Sequence, residues 1–226
     1  MKKYKAFDVV GPVMVGPSSS HTAGACRIGN AALAIAGGKA FAKVDFNLHG
    51  SFASTYMGHG TDMALVGGIC GIGPGEEKLR DSFAIAKEKG IEYTFIPMDL
   101  GDVHPNTVEI VFHYEDGESL SVTGSSIGGG NMVIVRINEI PVYFNNEFPT
   151  LILQYQEQSG IISYVSTILA SNDYNIETII TKKEEDTVTL VVETTESVEK
   201  DLLQGILKSK KFTFAKYIDV LEGEEA

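Results

Sequence analysis

The sequence predicts an α/β protein of the α+β kind, in which a domain with a mixed sheet precedes a smaller second domain. Three observations predict this. All five histidines and both cysteines of the 226 residues lie before residue 114. Hydrophobic residues make up 43% and charged residues 21%, which is typical of a globular chain with a buried core. The second half of the chain alternates β-branched runs with segments that have helical spacing. We therefore place a domain boundary after residue 147.

The second domain, residues 148–222, has a regular predicted element order. Strands are predicted over 150–155, 175–181, 187–193 and 212–221, and helices over 160–170 and 198–207. Apolar residues at helical spacing predict the helices, and β-branched residues predict the strands. The order β-α-β-β-α-β is that of a ferredoxin-like unit. Residues 223–226 are expected to form an acidic tail.

The first domain, residues 1–147, is predicted to combine helices with a mixed sheet. Helices are predicted over 20–36, 51–57, 61–70 and 76–89, and strands over 43–48, 91–98, 107–114, 119–123, 132–137 and 141–144. Gly90 ends the last helix, as glycine commonly does. The Asp116-Gly117 pair indicates a hairpin between two of the strands.

The net charge of −12 argues against two classes of partner. Nucleic-acid binding rests on Lys and Arg side chains that neutralise phosphates, and an acidic chain is also disfavoured on anionic membrane surfaces. No apolar run approaches the ~20 residues that a membrane helix needs. Residues 1–8 lack the apolar stretch of a signal peptide. We therefore expect a cytoplasmic protein that binds neither nucleic acid nor membranes.

The two cysteines, Cys26 and Cys70, restrict the redox chemistry of the chain. In a reducing compartment we expect no structural disulfide. The C-x-x-C spacing of zinc sites is absent from the sequence. Two thiolates are also fewer than the three or four that an iron–sulfur cluster usually takes.

The segment Gly-Pro-Ser-Ser-Ser-His-Thr at 16–22 places hydroxyl groups and a histidine at the predicted start of a helix. Free backbone N–H groups and the helix dipole favour a carboxylate at such a position. His21 is the candidate general acid or base there. The simpler alternative is a capping motif with an incidental histidine, since serine is a common N-cap.

A second segment, residues 49–62, follows a predicted strand and contains His49 and His59. Loops at strand ends are where α/β proteins place ligands. The glycines on both sides of His59 indicate a close approach of the backbone to another group. The spacing of the two histidines does not match a zinc motif. Helix capping by Thr61 or Asp62 is the simpler interpretation.

Two further segments carry weaker signals. In His104-Pro105-Asn106-Thr107, the proline keeps His104 out of the α conformation and places it at the entry of a strand. A polar loop residue before an edge strand is the alternative interpretation. Residues 124–131 are a candidate glycine-rich ligand loop, although they match neither the dinucleotide-binding nor the P-loop pattern.

Four strings together resemble the beta chain of bacterial iron–sulfur L-serine dehydratases, in order and over essentially the whole chain. They are G-P-S-S-S-H-T at 16–22, G-H-G-T-D at 58–62, H-P-N-T at 104–107 and S-I-G-G-G at 126–130. The resemblance implies a lyase that deaminates L-serine to pyruvate and ammonia without pyridoxal phosphate. It implies a 4Fe-4S cluster that acts as a Lewis acid on the substrate hydroxyl. It also implies that a separate alpha chain supplies the cluster ligands, and that the enzyme is active only with that chain.

The resemblance implies roles for individual residues. His21 would be catalytic, either transferring the proton or orienting the group that does so. The substrate-binding residues would be Ser18, Ser19, Ser20, Thr22, His59, Gly60, Thr61, Asp62, His104 and Asn106. No metal ligand is expected in this chain.

The second domain resembles the ACT domain that this family carries at the same position, which implies homodimerisation through it. The turn of Gln158, Ser159 and Gly160 is the candidate allosteric site. It lacks the acidic residue and the proline that many ACT domains have there, whereas Gly160 retains a backbone amide for an amino acid.

Two other functions compete with the dehydratase subunit. One is a non-catalytic module that binds an amino acid. The other is a self-sufficient hydrolase that uses Ser20 with His21, which is disfavoured because adjacent residues on a helix point about 100° apart and no third member of a triad is evident.

Overall fold

The structure is a computed structural model that describes residues 14–220. The chain divides into two compact units, one ending at Asn138 and the other spanning residues 139–220. The boundary after residue 147 stays a prediction. The prediction of an acidic tail at 223–226 lies outside the described residues, as does the N-terminal stretch up to residue 13.

The first unit begins with a wide helical turn rather than with a regular helix. A π-helical turn, Ser19–Gly24, leads directly into helix α1, Ala25–Ala36. The remaining helical elements are α2 at Gly50–His59, α3 at Thr61–Ile69, a 3-10 turn at Glu77–Asp81 and α4 at Ser82–Glu88. The helices predicted over 20–36 and 76–89 are therefore each split into two geometries. Within residues 14–220, no helix is long and apolar enough to cross a membrane.

The sheet of the first unit is mixed, as predicted. Its strands are β1 at Lys43–Leu48, β2 at Glu92–Pro97, β3 at Thr107–His113, β4 at Ser119–Gly128 and β5 at Asn131–Ile137. They lie in the order β2-β1-β3-β4-β5, with β1 and β2 parallel and the other neighbours antiparallel. Strand β4 extends further than the sequence predicted, so that Ser125 and Ser126 lie in a strand rather than in a loop.

Helices α1 and α3 approach each other at the backbone level. A Cβ atom added to Gly68 would lie 2.4 Å from the carbonyl oxygen of Cys26 and 2.8 Å from the Cα of Gly29. A Cβ on Gly29 would in turn lie 2.9 Å from the Cα of Gly68. Only glycine on both helices permits this contact, because a protein interior packed at this density has no space for another methyl group. The contact keeps α3 close to α1, which follows the π-helical turn.

The second unit contains the predicted ferredoxin-like arrangement. Its elements are β6 at Ile140–Phe144, β7 at Thr150–Gln156, α5 at Ile161–Ala170, β8 at Ile176–Glu184, β9 at Thr187–Thr194, α6 at Lys200–Leu207 and β10 at Phe214–Ile218. From β7 onward the order is β-α-β-β-α-β, and the antiparallel sheet has the order β10-β7-β9-β8. Alternate residues of β7, such as Leu151 and Leu153, pack against Val165 and Leu169 of α5. The period of two in the strand and the helical spacing of α5 therefore meet in one core.

Candidate active site

Ser18 caps the π-helical turn that carries the first motif. Its hydroxyl accepts a hydrogen bond from the backbone N–H of His21 at 3.1 Å, and its carbonyl accepts one from the N–H of Thr22 at 2.8 Å. These contacts satisfy N–H groups that a helix start otherwise leaves without partners. Ser18 Oγ also lies 3.4 Å from Ser20 Oγ. Capping therefore uses the Ser18 oxygen as an acceptor and leaves its O–H, like the hydroxyl groups of Ser19 and Ser20, able to donate.

The imidazole of His21 is held by hydroxyl groups at both ring nitrogens. Nδ1 lies 3.2 Å from Ser20 Oγ, and Nε2 lies 3.1 Å from Ser51 Oγ on helix α2. The Phe52 ring packs against the imidazole in a T-shaped arrangement, with the ring centroids 5.3 Å apart. A hydroxyl group both donates and accepts, so this arrangement satisfies either tautomer of the neutral ring. The position of the His21 ring is therefore fixed, and either neutral tautomer can make both hydrogen bonds.

His59 completes the surroundings of His21. It is the last residue of α2, its side chain is exposed, and the two imidazole centroids are 4.8 Å apart. The carbonyl oxygen of His59 accepts a hydrogen bond of 3.0 Å from the hydroxyl of Thr22, which is fully buried. Gly60 follows with a φ of 70°, where it ends α2 and precedes α3. The first and second motifs are thus joined by a direct hydrogen bond.

The surroundings of His21 favour its neutral form. Its pKa is lowered from the ordinary value of 6.5, first by partial burial and second by the charge of His59. Burial disfavours the charged form, and a neighbouring positive charge acts in the same direction. A neutral imidazole near pH 7 can accept a proton, which is the property that a general base requires.

Replacing His59 with glutamine is expected to raise the pKa of His21, which should nevertheless stay below 6.5. The substitution removes the neighbouring charge, whereas the larger cause, burial, remains. An NMR titration of the imidazole carbon-bound protons in both proteins measures the shift. A pKa of His21 that does not change in the variant would contradict the assigned role of His59.

Because the folded pKa lies below the unfolded value, the stability contribution of His21 is present above pH 6.5 and decreases as the pH falls through the folded pKa.

The third and fourth motifs meet the first two through backbone contacts. The carbonyl oxygen of Pro105 accepts a hydrogen bond of 2.8 Å from the N–H of Ser51, and that of Asn106 accepts one of 2.9 Å from the N–H of Ser126. Ser126 is fully buried, and a Cβ added to Gly24 would lie 2.1 Å from its hydroxyl oxygen. The four segments, which are far apart in the sequence, therefore converge around the π-helical turn.

Known proteins are similar in sequence to this chain. A family model of the serine dehydratase beta chain matches residues 6–92. The L-serine dehydratase beta chain of Peptoniphilus asaccharolyticus is 52% identical over 223 residues, covering 97% of this chain and 100% of that protein. The chain belongs to the serine dehydratase beta chain family. A probable L-serine dehydratase beta chain of Bacillus subtilis is 40% identical over 176 residues, covering 78% of this chain and 79% of that one.

A solved ACT domain is more weakly similar to this chain. The solution structure of the ACT domain of GTP pyrophosphokinase from Chlorobium tepidum has 15% sequence identity and a TM-score of 0.28, covering 35% of this chain and 93% of that domain. The ferredoxin-like arrangement of the second unit rests on its own strand order and not on this likeness.

Several predicted substrate-binding side chains make local contacts within this family member. The ring of His104 is exposed, and its Nδ1 accepts a hydrogen bond of 3.1 Å from the N–H of Asn106. The carboxylate of Asp62 accepts one of 2.8 Å from the N–H of Met63, and burial raises its pKa. Thr61 is fully buried, and its hydroxyl has no hydrogen-bond partner among residues 14–220. Their roles in substrate binding, and those of Ser19 and Gly60, stay predictions.

The predicted allosteric turn lies between β7 and α5. Gln158, Ser159 and Gly160 are all exposed, and Gly160 has a φ of 88° immediately before α5. The side-chain amide of Gln158 donates a hydrogen bond of 3.3 Å to the carbonyl oxygen of Gln156. The positive φ explains why glycine occupies this position, since side chains disfavour that conformation. Ligand binding by this turn stays a prediction.

The predicted site residues do not include three residues of the observed site, although all three lie in the segments that the motifs had indicated. Ser51 and Phe52 contact the imidazole of His21, and Ser126 packs against Gly24. A signal for Ser51 existed, because it follows a histidine and a glycine directly after strand β1. Nothing in the local sequence indicated that its hydroxyl reaches a histidine 30 residues earlier in the chain.

Proposed function

We propose that this chain is the beta subunit of a cytoplasmic, two-chain, 4Fe-4S-dependent L-serine dehydratase, which converts L-serine to pyruvate and ammonia together with an alpha chain. The convergence of four motif segments around a neutral, partly buried His21 carries the proposal. The names of the two relatives, an L-serine dehydratase beta chain and a probable one, support the substrate and the need for a partner chain. Homodimerisation through the second unit belongs to the same proposal.

In this proposal the first motif binds and orients serine. The hydroxyls of Ser18, Ser19 and Ser20 and the positive end of the helical segment hold the substrate carboxylate. His21 accepts the α-proton at Nδ1, where the substrate displaces the hydroxyl of Ser20, and the electrons of the Cα–H bond form the Cα=Cβ double bond as the Cβ–O bond breaks. The departing hydroxyl takes that proton and leaves as water, which returns His21 to its neutral form. The resulting aminoacrylate tautomerises and is hydrolysed to pyruvate and ammonia. His59, whose ring lies next to that of His21, disfavours protonation of His21 before substrate binds.

We assign the cluster ligands to the alpha chain. Among residues 14–220, no group of three or more His, Cys, Asp or Glu side chains is placed to hold a metal ion. Cys26 is fully buried, with its Sγ 3.1 Å from the carbonyl oxygen of Ile72, and burial raises the pKa of the Cys70 thiol. A buried thiol with a raised pKa, such as that of Cys70, resists forming the thiolate that binds metals. The bound cluster would supply a Lewis acid for the substrate hydroxyl.

Anaerobic pyruvate release from L-serine tests the proposed function. The chain should be inactive alone, active with a cluster-containing alpha chain, and inactive again when the alpha chain has lost its cluster. Serine binding by this chain alone, with no pyruvate formed in any combination, would contradict the proposal and favour the non-catalytic amino-acid-binding module.

One contact bears on the hydrolase alternative. Ser20 Oγ and His21 Nδ1 lie 3.2 Å apart, although adjacent residues on a regular helix diverge. The π-helical turn brings them together. In a nucleophilic triad, however, a carboxylate orients the second ring nitrogen, whereas here Nε2 faces the hydroxyl of Ser51. We therefore expect no labelling of Ser20 by a fluorophosphonate, and covalent labelling would favour the hydrolase.

A further inference from the structure

We infer that Ser51 is a positioning residue for His21. Its hydroxyl group holds the imidazole through Nε2, at the place where many catalytic histidines have a carboxylate. The inference rests on the proposed function, because its kinetic effect is measured as serine deamination. Its structural effect on the His21 ring is measured without any turnover.

The contact between Ser51 and His21 joins two separate segments of the chain. Ser51 is in the first turn of α2, and His21 is in the π-helical turn before α1. Ser20 contacts the other ring nitrogen, and Phe52 packs against the ring. With both nitrogens and one side of the ring in contact, the imidazole has little freedom to rotate away from its present orientation.

A hydroxyl group has a different electrostatic effect from a carboxylate at this position. A carboxylate would stabilise the imidazolium ion and raise the pKa of His21. The Ser51 hydroxyl can donate to a neutral Nε2 or accept from a protonated one. With Nε2–H donating to the Ser51 hydroxyl, His21 can therefore be neutral before the reaction and gain a proton at Nδ1 without movement of Ser51. Such preorganised donors and acceptors lower the cost of a developing charge.

The backbone around Ser51 is itself fixed by the third motif. The N–H of Ser51 donates to the carbonyl oxygen of Pro105, and its own carbonyl accepts a hydrogen bond of 2.7 Å from the hydroxyl of Thr55. Gly50 has a φ of 55°, and a Cβ there would lie 2.6 Å from the same Pro105 oxygen. The H-P-N-T segment thus supports the site through its backbone, by setting where Ser51 lies.

Three variants of the full chain test this role. Ser51→Ala removes the hydroxyl from Nε2, and Ser51→Thr retains it. Ser54→Ala is the matched control, because the Ser54 hydroxyl donates only to backbone carbonyls of the same helix turn, those of Gly50 and Ser51. Nitrogen-15 NMR of the His21 ring is recorded for each chain alone, and kcat and KM for serine are measured after reconstitution with the alpha chain.

We expect Ser51→Ala to move the Nε2 resonance of His21 and to lower kcat about tenfold with little change in KM. A tenfold decrease is part of the rate enhancement that acid–base catalysis contributes. Ser51→Thr should restore most of kcat, and Ser54→Ala should resemble the unmodified chain. An unchanged Nε2 resonance in Ser51→Ala would overturn the inference, as would a threonine variant no better than alanine. If the unmodified chain forms no pyruvate, the proposed function fails, and the ring-nitrogen spectra alone then decide the role of Ser51.

Discussion

Replacing His21 with alanine is expected to lower kcat for serine deamination by about 10²–10⁴-fold in the reconstituted enzyme, the range that a general acid or base contributes. The imidazole is the partly buried, neutral group at which the four motifs converge, and its two nitrogens are held by Ser20 and Ser51. Thermal unfolding should change little, because the backbone N–H of His21, which binds Ser18, remains in the variant. Anaerobic pyruvate release gives the rate, and circular dichroism checks the fold.

A second histidine substitution distinguishes the loss of a catalytic group from a general effect of replacing a histidine on activity. His113 lies on strand β3, where its Nε2 is 2.7 Å from a carboxylate oxygen of Asp45. His113→Gln retains a donor for Asp45 and should leave kcat unchanged. If His21→Ala keeps its activity while the alpha chain remains essential, the proton-transfer role moves to the alpha chain.

Replacing Gly68 with alanine is expected to destabilise the chain by about 3 kcal/mol, the upper part of the range for overpacking a core. The added methyl group would meet the carbonyl oxygen of Cys26 and the Cα of Gly29. Both are backbone atoms, so no side chain can rotate away and α3 must move from α1. For a protein of this size we expect a decrease of roughly 6–12 °C in the Tm of the first unfolding transition. Differential scanning calorimetry measures it.

Gly58→Ala is the matched control for that experiment. Gly58 is also a helical glycine, in α2, and nothing lies within 4 Å of the Cβ that alanine would add. Alanine should therefore stabilise the helix by about 0.5 kcal/mol through its better helix propensity. A Gly68→Ala protein as stable as Gly58→Ala would show that the two helices separate at little cost.

The sequence predicted the parts of the fold in which each element has a clear period. Strand β1 occupies the predicted residues 43–48, because its buried and exposed positions alternate. The β-α-β-β-α-β order of the second unit is confirmed for the same reason. The π-helical turn was not predicted, because hydrophobic spacing does not distinguish a π-turn from the first turn of an α-helix. Ser125 and Ser126 were placed in a loop, since the glycines around them mask the continuation of strand β4.

The candidate site could be located from sequence only as separate segments. Motif strings indicated His21 and the segments near it, and the structure brings all four segments together. The contact between His21 and Ser51 depends on how α2 lies beside the π-helical turn, which is a property of tertiary packing. Local spacing also could not show that Asp62 would bond to the N–H of its neighbour Met63.

The π-helical turn has a consequence for the length of the chain at the site. The turn starts directly after the extended Ser18, and the i→i+5 hydrogen bonds of a π-helix enclose one residue more than those of an α-helix, so it rotates its first residues by about one residue, or 100°, relative to α1. In a chain one residue shorter between Ser19 and Gly24, a regular helix would run through this stretch. Its serine hydroxyls would then face a different direction relative to α1. The number of residues in this turn, in addition to their types, therefore determines which side chains reach Ser51 and His59. A related chain with one residue fewer in this motif would differ in function.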